Sequence, residues 1–311
     1  MARPSRIEYP GAWRRGALIK TREIICLVIF CVITLIPVGC AGPMGSMEPV
    51  QPMGPQNIRE IEYVRDLDES PRLRFMTYNI RVGGGTENPF TSVRNLPSSR
   101  KKLERIALAI KSVNPDVVAL QEVRGLQQAT FFAKTLNLNY AYSSHGRRGL
   151  DWGLAVLSKF KILKVYGKVI YYGRDQRVGV VYTIDINGSP VTLINVHYHL
   201  GDYEQQVKAT MGLLRDTKGP VVLMGDLNCT ERAYELRPIY EEMIDTCKAV
   251  DTDGSRDARK TGTILTFSNY RIDYIFVDPK SFEVRDAGLI PEKHRRASDH
   301  IAYFACVTLK N

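Results

Sequence analysis

Cysteine is scarce and poorly placed for most of its usual roles. Six occur in 311 residues, and Cys26, Cys31 and Cys40 fall within the first 40. Cys229, Cys247 and Cys306 remain, an odd number without the paired spacing of a zinc site. A thiolate metal centre is set aside for the body of the chain. One disulfide with one free thiol stays open. No internal repeat is visible, which argues against solenoids and propellers. No linker interrupts Arg72 to Lys310, so one catalytic-size domain is expected there. The apolar run Ile24 to Gly39 falls short of the ~20 residues a spanning helix needs.

What is present is ordinary in bulk. Hydrophobic residues make up 44% and charged residues 24%, enough for one sizeable core. The net charge of +10 suggests an anionic partner without naming one. Arg14, Arg15, Lys20 and Arg22 precede "IICLVIFCVITLIPVGC". A basic segment, a short apolar core and a small residue before a cut describe a secretory signal. "VGC" resembles the lipobox of bacterial lipoproteins, with Cys40 as the lipidated first residue. Pro37 departs from the usual Leu, and an uncleaved signal anchor is the alternative. Both place the body outside the cytoplasm and tied to a membrane, the first as an exported, membrane-anchored lipoprotein of the cell envelope. Residues 1–40 are therefore expected to be a leader and 41–71, rich in Pro, Gly and Met, a flexible tether. Residues 72–311 form the domain, expected to be a monomer.

Within the domain, apolar runs alternate with helical patterns. "LRFMTYNI" and "DVVALQEV" predict strands. Between them, "SSRKKLERIALAIKSVN" opens on a Ser cap and puts Leu103, Ile106, Ala107 and Ile110 on one helical face. A helix follows around Leu126–Leu136. "GLAVLSK", "FKILKVYGKVIYY", "RVGVVYTIDI" and "PVTLINVHYH" predict successive strands, with a hairpin turn at "NGSP". Next come a polar helix over Tyr203–Asp216, the strand "PVVLMGDLN" and a polar loop over Asp245–Thr261. "RIDYIFVD", "FEVRDAGLI" and "IAYFACVTL" finish the chain as strands. This pattern predicts an α/β fold with two mixed sheets packed face to face and helices outside.

Several of these strands end in polar residues. Asn79, Glu122, Asn195, His197, Asp226 and Asn228 close apolar runs. Asp273 stands near the start of one, and Asp299 and His300 precede the last. Singly, each has a plain structural explanation, such as a cap, a surface ion pair or a satisfied histidine. Only Asp273 demands a partner, because it is a carboxylate in an apolar strand. Together they form an oxygen-rich set with imidazoles and no thiolate. That set suits a hard ion such as Mg²⁺, with Mn²⁺ an alternative, and acid–base chemistry by histidine. Phosphoester hydrolysis needs that combination.

"TYNI", "LQEV", "AVLSK", "NVH", "GDLN", "RIDYIFV" and "SDH", in this order, resemble the endonuclease/exonuclease/phosphatase superfamily, the DNase I-like fold. The resemblance implies a four-layered α/β sandwich. It implies Glu122 as main metal ligand, with Asn79 and Asp299 beside it. It makes His300 the residue that activates water, oriented by Asp273. Asp226 and Asn228 bond the water and phosphoryl oxygens, and His197 contacts the phosphate and protonates the leaving oxygen. On the substrate side stand Arg177, similar to a phosphate-contacting Arg of part of the family, and Asn195, which supports the His197 loop. Arg295 and Arg296, in the basic run before "SDH", join them. His199, two residues past His197, reads as a neighbour of the site.

Three functions compete. The first is an Mg²⁺-dependent phosphodiesterase acting on nucleic acid, favoured by the basic balance, Arg147, Arg148 and the Lys293–Arg296 run. The second is a lipid or inositol phosphoesterase, compatible with membrane tethering but lacking a membrane-inserting apolar hairpin. The third is a catalytically dead binding module, which would have a broken site. Selectivity is expected in the loops Gly83–Pro97, Ser143–Asp151, Tyr172–Gln176 and Asp251–Gly262.

Overall fold

The computed structural model describes residues 72–86, 95–146, 152–173, 175–250, 263 and 270–310. The expected leader and tether lie outside the described residues, as do Arg147, Arg148 and the loop 251–262.

Two parallel strand pairs organise the molecule. β1 (Arg72–Asn79) crosses through α1 (Arg100–Lys111) to β2 (Val117–Val123), which lies parallel beside it. Ser99 caps α1, its Oγ accepting from the Lys102 N–H, and Ile106, Ala107 and Ile110 are buried beneath. After α2 (Gly125–Leu136) come β3 (Asn139–Ser144) and β4 (Gly153–Ser158), both antiparallel additions to this sheet.

The second sheet begins with β5 (Lys161–Tyr171), β6 (Arg177–Ile186) and β7 (Ser189–His197). Asn187 and Gly188 both have positive φ, the two-residue turn that matches strand twist between β6 and β7. From β7 the chain crosses through α3 (Tyr203–Arg215) to the parallel β8 (Val221–Asp226). α4 (Arg237–Glu242), β9 (Ile244–Asp245), α5 (Thr246–Val250) and β10 (Asp273–Val277) follow. β11 (Phe282–Leu289) and β12 (Tyr303–Leu309) return to the first sheet. The strand orders are β11-β12-β1-β2-β4-β3 and β5-β6-β7-β8-β10-β9.

The inner faces of both sheets pack as one core, including Phe75, Val117, Val156, Tyr182, Leu193, Met224 and Ile275. On the outside, α1 and α2 cover the first sheet through Ile106, Ile110 and Phe132 against Val118 and Leu157. Val207, Met211 and Ile239 of α3 and α4 cover Ile194, Leu223 and Phe276 of the second. Strands buried on both faces explain the near-continuous apolar runs. The result is a four-layered α/β sandwich.

Three local expectations change. The polar loop expected from Asp245 instead starts as β9 and α5. Asp245 is polar because it is the buried partner of Arg271, and its Oδ1 also accepts from the Cys247 N–H. β3, absent from the sequence reading, pairs along all six residues with β4. The strand read through His199 stops at His197. Cys229, Cys247 and Cys306 are buried, and no disulfide joins them among the described residues.

Candidate active site

Both crossovers deliver strand ends to one place, the position where α/β sheets hold ligands. β1 ends in Asn79, β7 in His197 and β8 in Asp226, and Glu122 is the last residue but one of β2. Asp273 starts the antiparallel β10, in register with Asp226. Gly225 makes the closest approach possible: a Cβ there would lie 2.0 Å from the Val196 carbonyl oxygen. Its φ of 148° also suits only glycine.

The backbone is strained around this point. Glu122 has φ 53°, at a break in the β2–β4 register between Leu120 and Val123. Arg81, Val82 and Asn228 have φ of 45°, 48° and 50°. Non-glycine residues in this region cost of order 1–3 kcal/mol each, and cluster where function requires a particular side-chain direction.

His300 Nδ1 lies 2.8 Å from Asp273 Oδ2, while its Nε2 faces Asp226 Oδ2 at 3.7 Å. Burial opposes a charge on this imidazole, but Asp273, Asp226 and Asp299 outweigh it and raise its pKa well above the ordinary value. Asp226 accepts from the Asn228 N–H through Oδ1 and from Asn79 Nδ2 through Oδ2, the latter bond joining the two sheets. Burial, then the charge of Asp273, pushes the Asp226 carboxyl up to about 7. His197 Nε2 stands 3.5 Å from the same oxygen. Burial and the Arg177 charge hold this imidazole well below its ordinary range, so it is neutral.

The donor set fits a hard divalent cation. Among the described residues, ligand atoms of Asp226, Asp273 and His300 lie within 4.8 Å of one another. Glu122 Oε2 and Asp273 Oδ1 are buried without a hydrogen-bond partner among the described residues. Burial and then Asp299 raise the Glu122 carboxyl above its usual range. A cation would satisfy these orphaned oxygens.

The other expected ligands are arranged differently. Asn79 Oδ1 accepts the Arg81 backbone N–H, which fixes the amide and turns Nδ2 toward Glu122 Oε1 (3.2 Å) and Asp226. Asn79 thus bridges the two carboxylates through Nδ2. Asp299 Oδ2 pairs with buried Arg81 Nε at 3.0 Å, and its Oδ1 accepts from Ser298 Oγ.

The substrate side divides as well. Arg177 is buried, stacked over Trp152 at 4.7 Å, with Nε and Nη1 unpartnered among the described residues. Burial lowers the pKa of its guanidinium, opposed by the charges of Glu122, Asp175 and Asp226. Asn195 is no substrate contact. It is fully buried, donating to the carbonyls of Leu120 and Ala155 and accepting from Gln121 Nε2, and so bonds the two sheets together. Arg295 Nε donates to the Ile290 carbonyl, which ties its own loop. Arg296 is exposed, and its carbonyl accepts from Arg105. Asn228 spends one amide hydrogen on the Tyr198 carbonyl.

Two groups escaped sequence reasoning. Arg81 follows "TYNI" directly, and only its position next to the motif hinted at a role. His145 is buried against Trp152 and His197, with ring centroids at 5.1 and 6.3 Å. Its Nδ1 accepts the Val178 N–H, a contact between distant segments that no local pattern announces.

The sequence profile of the Endonuclease/Exonuclease/phosphatase family matches residues 76–300. The chain belongs to this family. Its members hydrolyse phosphoester bonds, and most of the residues gathered here fall inside the matched span. Exodeoxyribonuclease III of Haemophilus influenzae is 22% identical over 149 residues, 43% of this chain and 55% of that protein. The chain thus spans about half the length of this curated relative. An endonuclease/exonuclease/phosphatase from Beutenbergia cavernae superposes with a TM-score of 0.59 at 21% identity, over 77% of this chain and 72% of that one. A mannosyl-6-phosphatase of Bacteroides thetaiotaomicron gives 0.60 at 19%, over 77% of this chain and all of that one. At such identities the likeness establishes the shared fold, two mixed sheets with flanking helices.

Proposed function

We propose that the chain is a divalent-metal-dependent phosphodiesterase, with Mg²⁺ as the ion and nucleic acid as the substrate, exported and tethered to the cell envelope. The observation that carries the chemistry is the Asp273–His300 pair facing Asp226 and Glu122 across the joined sheet ends. Asp273 accepts from Nδ1–H of His300 and turns Nε2 toward Asp226; a cation that offset the carboxylate charges raising this imidazole would leave Nε2 free to take the proton of a water. A cation held by Glu122 and Asp226 would stabilise the charge that builds on the phosphoryl oxygens. Neutral His197 donates a hydrogen bond toward those oxygens, and buried Arg177 adds a fixed positive charge beside them. Because His197 is held neutral, it acts more as a hydrogen-bond donor than as a proton reservoir for the leaving oxygen.

The nucleic-acid preference rests on the basic balance of the chain and on Arg177, and the envelope location on the basic, apolar and "VGC" sequence before residue 41. No helix among the described residues is long and apolar enough to cross a membrane. Hydrolysis of bis-p-nitrophenyl phosphate with Mg²⁺, abolished by EDTA, is expected. Absence of metal-dependent turnover sinks the enzymatic reading. A panel of plasmid DNA, RNA, sphingomyelin and phosphoinositides decides the substrate. Cleavage of lipid alone would replace nucleic acid with the membrane-lipid alternative.

A further inference from the structure

A rigid pair of aromatic rings stands beside the reacting groups and takes no part in the chemistry above. Tyr171 closes β5 and lies opposite Arg177 in the β5–β6 register. His199 follows His197 by two residues. Their rings stack with centroids 4.5 Å apart and planes 13° from parallel. Both side chains are half-buried.

The stack is built to hold its position. Fully buried Gln206 accepts the His199 N–H at 2.6 Å and donates back to the His199 carbonyl at 3.0 Å. These bonds fix the His199 backbone, and the stack on Tyr171 holds the ring that projects from it. Gly173 lies against Tyr171 so closely that a Cβ there would fall 2.6 Å from the ring. Gly173 and His199 thus both contact Tyr171, and the far face of the His199 ring is taken by no other aromatic ring among the described residues. His199 Nδ1 is buried and bonded to no described residue. Burial and Arg177 keep this imidazole below its ordinary range, so the ring presents an uncharged π face. The platform lies next to the reacting groups: Tyr171 is in register with Arg177, whose guanidinium lies over Trp152 at 4.7 Å, and Trp152 meets the His197 ring at 5.6 Å.

We propose that the Tyr171–His199 stack seats the nucleobase adjoining the scissile phosphodiester, with Arg177 on the phosphate and the base against the His199 ring. This rests on the nucleic-acid reading above and deepens it into a preference for base-bearing diesters. Stacking on an aromatic side chain tolerates any base, so the seat adds affinity without a sequence code.

The test uses the full chain and two chromogenic diesters, thymidine 5′-p-nitrophenyl phosphate and its abasic deoxyribose counterpart. The readout is the ratio of their kcat/KM values. Wild type is expected to prefer the base-bearing diester by about ten-fold or more. His199→Ala brings the ratio near one, His199→Phe restores it, and His199→Leu does not. A ratio unmoved by His199→Ala, or restored equally by Leu, overturns the seat. So does a wild type that cleaves plasmid DNA but shows no preference between the diesters, which leaves the nuclease reading standing. A wild type that cleaves lipid but no DNA overturns that reading and the seat with it. Should His199→Ala not fold, the Phe and Leu variants decide alone.

Discussion

Two buried charge clusters lie side by side at the start of β10, and they are built on opposite plans. Arg271 reaches Asp245 with both terminal nitrogens, at 3.0 and 2.6 Å, and adds Glu231 at 3.0 Å, its guanidinium lying over the Tyr274 ring at 4.4 Å. Opposite signs meet there, bidentate and buried. Two residues along the chain, Asp273 belongs to a cluster in which acids crowd one another. Glu122 and Asp226 are both raised by burial and by neighbouring carboxylates, and two carboxylate oxygens lack partners among the described residues. The first cluster spends its charges on the fold. The second keeps an unmet demand for positive charge, which is what a site that holds a cation and a charged transition state requires.

Substitutions in each cluster should therefore separate activity from stability. His300→Ala is expected to lower kcat/KM on a small diester by about 10²–10⁴-fold, the usual worth of a positioned proton acceptor, with little change in melting temperature. Steady-state kinetics beside a thermal melt checks this; a variant of full activity would return the dyad to a structural role. Asp245→Ala should do the reverse. It leaves the Arg271 charge buried without its bidentate partner, at about 3–5 kcal/mol. Urea denaturation should show that loss, and activity per folded molecule should persist.

The contrast was half legible in the sequence. Asp226 and Asp273 could be singled out because a carboxylate at the end of, or inside, an apolar run needs a reason. The same rule could not separate Asp273 from Asp245, which sits in a polar stretch and looked like loop. Its partner Arg271 lies 26 residues on, and only tertiary structure pairs them. Asn195 misled for a related reason. It shares a strand face with His197, but two residues further from the strand end that face points at the other sheet and not at the pocket. The layered fold was readable because both faces of each central strand are apolar. The turned-out backbone of Glu122 was not, since nothing in "LQEV" specifies a positive φ. Arg81 was missed because its role depends on Asp299, far away in the chain.

The unmet demand has a stability cost that can be measured. Asp226→Asn keeps the shape and the bond from Asn228 N–H, and it removes one of the repelling charges at the loss of the bond that Oδ2 accepts from Asn79. Without metal at pH 8 it should be more stable than the parent by about 1 kcal/mol, while losing activity, the trade expected where function holds like charges together. Equal or lower stability in the urea midpoint would mean that the carboxylates are already relieved within the protein.

The smallest effect expected is on pH dependence, and its sign follows from the raised carboxyl. In the folded chain Asp226 holds its proton up to about 7; in the unfolded chain it releases it near 4. Between these values the folded state binds more protons, so stability falls as pH rises. This contribution is fully present below pH 4 and is lost as pH passes through about 7. A bound cation competes with that proton. Added Mg²⁺ should therefore raise the melting temperature little at pH 5 and by a few degrees at pH 8, with the change centred near 7. The Arg271–Asp245 cluster, already paired, should give no such metal-linked response, so Asp245→Asn should keep the Mg²⁺ shift and Asp226→Asn should lose it. Loss of the shift in both, or in neither, would erase the distinction between the two clusters.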